Sequence, residues 1–255
     1  MYDGDKPFKK INWDFLNWSA NIRWQISDAN SLYAVVTQTH REPTRSDMFG
    51  GEENFNQLIT AQAEAVIDYE LGYNLQHKDV SGNINVYYMD FSNELILNGA
   101  MGTNGLPIRE NVAQSFRAGV ELSLTYSPVD RLKLINSSSW SMNRVNTGDE
   151  VLTHVMSPTW ITRQDIIYGL GRLEIGAAMN YRSSMYFELT NKYKIGSRTR
   201  FDIFAEYDFG HIVVSTHINN LFDKRSFANG MIGAGGPLYF VESPRNFFVD
   251  LRIHF

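Results

Sequence analysis

The chain has 255 residues, no cysteine, a formal net charge of −5 and 13% aromatic residues, with 13 Tyr and 16 Phe. The missing cysteine excludes a disulfide framework and thiolate metal sites, and the negative balance argues against a nucleic-acid partner. No apolar run approaches the ~18 residues of a membrane-spanning helix, and the opening MYDGDKPFKKINW holds no signal-peptide core.

What the chain does carry is strand periodicity, repeated from end to end. In 16–27, Leu16, Trp18, Ala20, Ile22, Trp24 and Ile26 alternate with polar residues. In 64–75, Ala65, Ile67, Tyr69, Leu71, Tyr73 and Leu75 do the same. The pattern returns in 115–126 with Phe116, Ala118, Val120, Leu122, Leu124 and Tyr126, and in 172–187 with Leu173, Ile175, Ala177, Met179, Tyr181, Met185 and Phe187. It recurs in 200–209 and closes the chain as RNFFVDLRIHF, with Phe247, Val249, Leu251, Ile253 and Phe255 in phase. Eleven strands follow from this: 13–27, 31–40, 63–77, 83–97, 113–127, 131–143, 158–168, 172–187, 199–209, 211–223 and 245–255.

Two features separate these strands from those of a soluble sandwich. Several hold alternation for about 10 residues or more, the length a tilted strand needs to cross a bilayer, and their polar faces are rich in charge. The connections also alternate: short at 28–30, 78–82, 127–130, 169–171 and 210, long at 41–62, 98–112, 144–157, 188–198 and 224–244. All long loops therefore lie at one end, the asymmetry of an outer-membrane barrel with short periplasmic turns and long extracellular loops. The expected fold is all-β, an antiparallel transmembrane β-barrel. Its apolar face meets lipid, and aromatics near strand ends (Tyr73, Tyr126, Tyr181, Phe187) fit interfacial girdles.

Several stretches resemble the TonB-dependent outer-membrane receptors. INNLFDKRSF (218–227) resembles their penultimate-strand motif, and YFVESPRNFFVDLRIHF resembles the loop and strand that follow it. YAVVTQTHREPTRSDMF (33–49), AEAVIDYELGYNLQ (63–76) with Tyr69-Glu70-Leu71-Gly72, and FRAGVELSLTYSPVDRLKL (116–134) with Gly119-Val120-Glu121 resemble earlier strands of the family in the same order. The resemblance implies that residues 1–255 are the C-terminal half of a receptor barrel of about 22 strands, with signal peptide, TonB box, plug and N-terminal strands absent. Phe255 resembles the assembly signal read by the barrel assembly machinery.

By the same resemblance, the protein is an integral protein of the outer membrane of a Gram-negative bacterium. It would be a receptor for a scarce nutrient chelate (ferric siderophore, haem or cobalamin), energised by the TonB–ExbB–ExbD system through the missing plug. A passive porin or adhesin barrel is the alternative. No Gly-x-Ser-x-Gly elbow occurs and the six His are scattered, so no catalysis, cofactor or resident metal is expected.

Candidate ligand contacts in the loops are His40, Arg41 and Arg45, which would meet an anionic chelate, together with Tyr239 and Phe240 and their neighbour Met231. An ion-pair cluster of the arginines with Glu42 and Asp47 is the structural alternative. Glu52 and Glu53 resemble a cation site only as two adjacent carboxylates. Arg117, Glu121, Arg172, Glu174, Arg182, Asp202 and Glu206 are expected on the lumen wall, as cross-strand ion pairs.

Overall fold

A computed structural model describes residues 12–44, 47–48, 61–102, 105, 107–233 and 235–254. The first strands are β1 (Trp18–Ser27), β2 (Asn30–Arg41), β3 (Glu64–Gln76), β4 (Val80–Met101), β5 (Pro107–Val129) and β6 (Leu132–Asn146). Then follow β7 (Val151–Thr153), β8 (Trp160–Leu170), β9 (Leu173–Arg182), β10 (Met185–Tyr186), β11 (Lys194–Ile195), β12 (Arg198–Asp208) and β13 (Ile212–Asn219). The last are β14 (Phe227–Gly233), β15 (Gly236–Val241) and β16 (Asn246–Ile253). One antiparallel sheet runs β1-β2-β3-β4-β5-β6-β8-β9-β12-β13-β16, with β7 added to β6; β10-β11 and β14-β15 are separate small ladders. All eleven expected strands are present, in chain order, and among the described residues β1 and β16 are unpaired outer edges.

Register explains the two faces. Ala34 pairs with Leu71, Leu71 with Val86, Val86 with Val120 and Val120 with Trp140, so one apolar row crosses five strands. One residue along, Val35, Glu70, Tyr87, Gly119 and Ser141 make the matching row on the other face. The apolar row is open: Leu71 is 58% exposed and Trp140 54%. A soluble sheet would bury this face on a second layer, so its exposure is what a lipid-facing wall requires. The other face is the inner one, because loop residues fold onto it: Val155 and Leu189 pack against Val145 of β6.

The resemblance motifs have local physical reasons. The ring of Tyr33 lies over Gly72, where an added Cβ would sit 2.1 Å from Tyr33 Cζ. Tyr87 likewise covers Gly119, which also abuts the Trp140 carbonyl oxygen at 2.6 Å from a Cβ. Asn220 takes the left-handed φ of 53° that ends β13. Its buried side chain accepts from Lys224 N (3.0 Å) and donates to Lys224 O (3.1 Å) and Ser243 O (3.3 Å), so the Asn-Leu-Phe-Asp turn ties the last loop shut at its base.

Several expected boundaries need correction. The loop expected at 98–112 is largely ladder, because β4 and β5 run on for 22 and 23 residues. The extension is stabilised by burial of Ile96 and Val112 in a core with Val145, Val155 and Leu189. The strand expected over 172–187 stops at Arg182. Met185 and Phe187 share its alternation phase, yet they are buried with Ile195 in a second core at the long-loop end, so Phe187 is not a girdle residue. The last long loop carries the β14–β15 hairpin, and β14 packs against β4. The tight turns all lie at the opposite end, two of them using left-handed glycines, Gly171 (φ 68°) and Gly210 (φ 98°).

Candidate functional site

The long-loop end is an organised mouth. At Asn93 the backbone adopts a φ of 55°. By strict alternation Glu94 would point outward; after this twist it faces the inner wall, 5% exposed. There it accepts hydrogen bonds from Ser115 and Arg117, with His154 Nε2 3.6 Å away. His154 belongs to the loop after β7, so one carboxylate joins β4, β5 and that loop. Arg117 also stacks on the Phe91 ring at 4.5 Å.

A second carboxylate organises the loop between β10 and β11. Glu188 accepts from Thr190 N (2.7 Å), Thr190 Oγ1 (2.5 Å), Lys192 N (2.5 Å) and Tyr193 N (2.9 Å). A third, Glu242 beyond β15, takes a 2.5 Å bond from Arg198 Nη1 and a 3.1 Å bond from Ser226 Oγ. Arg182, the cross-strand partner of Arg198, donates to the carbonyls of Ser183 (3.2 Å), Gly196 (3.3 Å) and Phe227 (3.2 Å), reaching two loops at once. Lys194 lies 4.6 Å over the Tyr186 ring and Lys192 5.4 Å over Tyr193, which places cations and aromatics together at this end.

The three carboxylates titrate low, all beyond the bilayer-spanning part of the strands. Burial by itself pushes each upward. For Glu94 the nearby His154, the hydrogen bond from Ser115 and the charge of Arg117 outweigh it. For Glu188 the Thr190 hydroxyl and the backbone N–H groups of Tyr193, Lys192 and Thr190 do so, and for Glu242 the Arg198 guanidinium does. All three are held in the ionised form to lower pH than an ordinary glutamate.

The expected loop contacts separate. Arg41 faces inward and is held bidentate by Glu64 at 2.6 and 3.1 Å, a partner other than Glu42 or Asp47. Asp47 instead accepts from Thr44 N (2.8 Å) and lies 3.9 Å from Arg109. His40, one residue on from Arg41, takes the opposite face, stacked at 5.2 Å on Phe15 and 3.0 Å from Asn17 Oδ1. Arg45, Glu52, Glu53 and Phe255 lie outside the described residues. Tyr239 packs between Phe187 (5.4 Å) and Phe227 (5.1 Å), while the adjacent Phe240 is half exposed. Met231 is partly buried on β14.

In the ladder register the expected wall residues are in phase with Glu70 and Gly119, and their partners differ from the expected cross-strand ion pairs. Arg117 pairs with Glu94 rather than Glu121, which faces Asn85 and Ser139 across the ladder. Asp202 takes Arg200 Nε at 3.1 Å and Asn180 Nδ2 at 2.9 Å, and also the backbone N–H of Asn220 at 2.8 Å. Glu206 accepts from Ser215 Oγ at 2.6 Å and sits opposite Glu174. The carbonyl of Arg172 accepts from Asp208 N at 3.0 Å in the turn. Periodicity gave no reason to select Glu94, His154, Glu188, Arg198 or Glu242. The one available signal was a carboxylate set among apolar neighbours, as in Phe187-Glu188-Leu189. Among the described residues no group of three His, Cys, Asp or Glu is placed to hold a metal ion.

Residues 2–221 match the family described as TonB dependent receptor-like, beta-barrel. The ferrichrome outer membrane transporter/phage receptor of Escherichia coli (strain K12) is 27% identical over 136 residues, 51% of this chain and 17% of that one. The ferric yersiniabactin uptake receptor from Yersinia pestis superposes with a TM-score of 0.73 at 18% identity, over 93% of this chain and 37% of its own. The copper transporter OprC gives 0.79 at 16% identity, over 93% and 39%. The chain thus spans less than two-fifths of the length of these relatives. With the open apolar wall and the one-sided loops, the match places the protein: the chain belongs to the TonB-dependent receptor β-barrel family and is an integral outer-membrane β-barrel protein.

Proposed function

We propose that residues 1–255 form the C-terminal part of the barrel wall of an active-transport receptor for a scarce nutrient chelate, energised through TonB by way of a plug outside this chain. The observation that carries the reading is the lopsided build: among the described residues, the loops between β7 and β8 and between β10 and β11 pack onto the inner face at one end together with the β14–β15 hairpin, while the other end has tight turns. That end offers Lys192, Lys194 and aromatic rings, which suit an anionic, ring-bearing chelate. A ferrichrome transporter among the relatives favours the ferric siderophore class over haem and cobalamin. The loops capture ligand and the wall guides it, with no chemical step. Lipid covers the outer face, and the barrel assembly machinery reads the last strand.

The test is uptake of labelled iron from a panel of ferric chelates by cells carrying the full reading frame that contains this chain, with and without a protonophore. Saturable uptake that falls to background when the proton gradient collapses supports the proposal. Uptake that persists without the gradient identifies a passive porin instead.

A further inference from the structure

We propose that Lys224, Arg225 and Arg245, at the base of the last long loop, form a docking site for the phosphate headgroup of an anionic lipid in the extracellular leaflet. The inference goes beyond transport and needs only that the protein is an outer-membrane barrel. On β16 the outward positions run Ile253, Leu251, Val249 and Phe247, and the next position in that phase is Arg245. The apolar column thus ends on a cation, whose Nη1 donates to the Leu221 carbonyl at 3.5 Å. Phe222, 70% exposed, lies against Phe201 of β12 at 5.4 Å, and Lys224 and Arg225 follow it closely in the chain. All three cations are exposed, and among the described residues none is in an ion pair. The carboxylates nearest in sequence are already engaged: Asp223 accepts the backbone N–H of Arg245 (2.8 Å), and Glu242 takes Arg198.

Depth decides the occupant. Arg245 is two residues beyond Phe247, about 7 Å along the strand or roughly 5 Å in height at the usual tilt. That is the level at which hydrocarbon gives way to headgroups. An anionic solute on the transport path runs along the inner face and does not meet this outer column. A lipid whose chains lie on Phe222 and Phe247 and whose phosphate meets the cations satisfies the apolar and the charged parts together.

The cations are also held in place before any lipid arrives. The buried Asn220 side chain binds both backbone groups of Lys224, accepting from N at 3.0 Å and donating to O at 3.1 Å. The Asp223 carboxylate fixes the start of β16 through Arg245 N. Three positive charges therefore stand against the one carboxylate of Asp223, an excess of two, on a turn whose backbone has little freedom left to lose on binding. The Arg225 guanidinium supplies the planar fork that matches a phosphate, and Lys224 adds a point charge beside it.

The experiment titrates the full polypeptide that contains this chain, in a non-ionic detergent, with bisphosphorylated lipid A, and reads bound lipid by native mass spectrometry. The expected result is a lipid held about ten-fold or more tightly than dephosphorylated lipid A. Lys224→Gln with Arg225→Gln weakens it about ten- to thirty-fold. Lys78→Gln with Arg131→Gln, two exposed cations of the tight-turn end, changes it by less than about three-fold. Lys224→Arg with Arg225→Lys keeps the charge and stays within about three-fold of the unsubstituted protein, which separates lost charge from a damaged turn. Equal affinity for the dephosphorylated lipid, equal weakening by the two glutamine pairs, loss of binding in the charge-keeping pair, or displacement by inorganic phosphate at the concentration of the lipid overturns the proposal. None of these outcomes bears on energised uptake.

Discussion

Removing Arg117 tests whether Glu94 is the anchor of the mouth. Glu94 is 6% exposed at its side chain and holds Arg117, Ser115 and the nearby His154. Arg117→Ala deletes one charge-assisted hydrogen bond, about 1.5–3 kcal/mol, and leaves a buried carboxylate short of its cation. The full penalty for orphaning a buried charge is about 3–5 kcal/mol. Arg117 is itself 34% exposed, so water reaches the pair and lowers the cost below that range, to about 2–3 kcal/mol. Replacing both partners, Arg117→Leu with Glu94→Leu, removes the charge together with its need and should recover more than half of that loss. The assay is heat-induced loss of the compact barrel band on gels at one fixed heating rate, since barrel unfolding is kinetic. The order expected is wild type, double variant, Arg117→Ala. A double variant that melts at or below the single one would refute the anchor.

Other predictions concern the loops and the motif glycines. Glu188→Gln weakens bonds to the N–H groups of Thr190, Lys192 and Tyr193, so their amide exchange should accelerate more than ten-fold, about 1.4 kcal/mol, while β12 amides stay unchanged. Glu188 and Glu242 titrate below the unfolded value, so their contribution is complete above it and is lost only as pH falls through the lower folded value. Protease resistance of the loops should therefore hold from neutrality down to about pH 4.3 and fail below it; loss between pH 7 and 5 would contradict the low titration. Gly119→Ala meets the Trp140 carbonyl and should cost about 1–3 kcal/mol, read as the same thermal shift, whereas Gly169→Ala meets nothing nearer than 3.9 Å and should be close to neutral.

Much of the fold was legible because the side-chain period of a strand is 2 and a lipid-facing wall enforces it. A slip of one residue would turn Leu71 and Val86 inward and Glu70 into the bilayer. The rule lost its grip where water replaces lipid. Past Asn93 the face of β4 is set by one left-handed residue, which alternation does not foresee, so Glu94 was invisible as an inner-face anchor. Met185 and Phe187 kept the strand phase but follow Ser183-Ser184, where the ladder with β12 has ended and loop packing takes over. Candidate ligand residues were the least legible part. Arg41 and His40 are neighbours in sequence but take opposite faces, and Arg41 is taken by Glu64 from the next strand.

The most direct measurement of the account is topology in intact cells. These 255 residues hold no cysteine, so labelling of a thiol introduced here is read against the unsubstituted protein. Lys192→Cys stands at the long-loop end and Asp130→Cys in the tight turn between β5 and β6. The account predicts that a membrane-impermeant maleimide labels Lys192→Cys in intact cells and labels Asp130→Cys only after the outer membrane is opened. The reverse pattern, or equal labelling of both in intact cells, would contradict it.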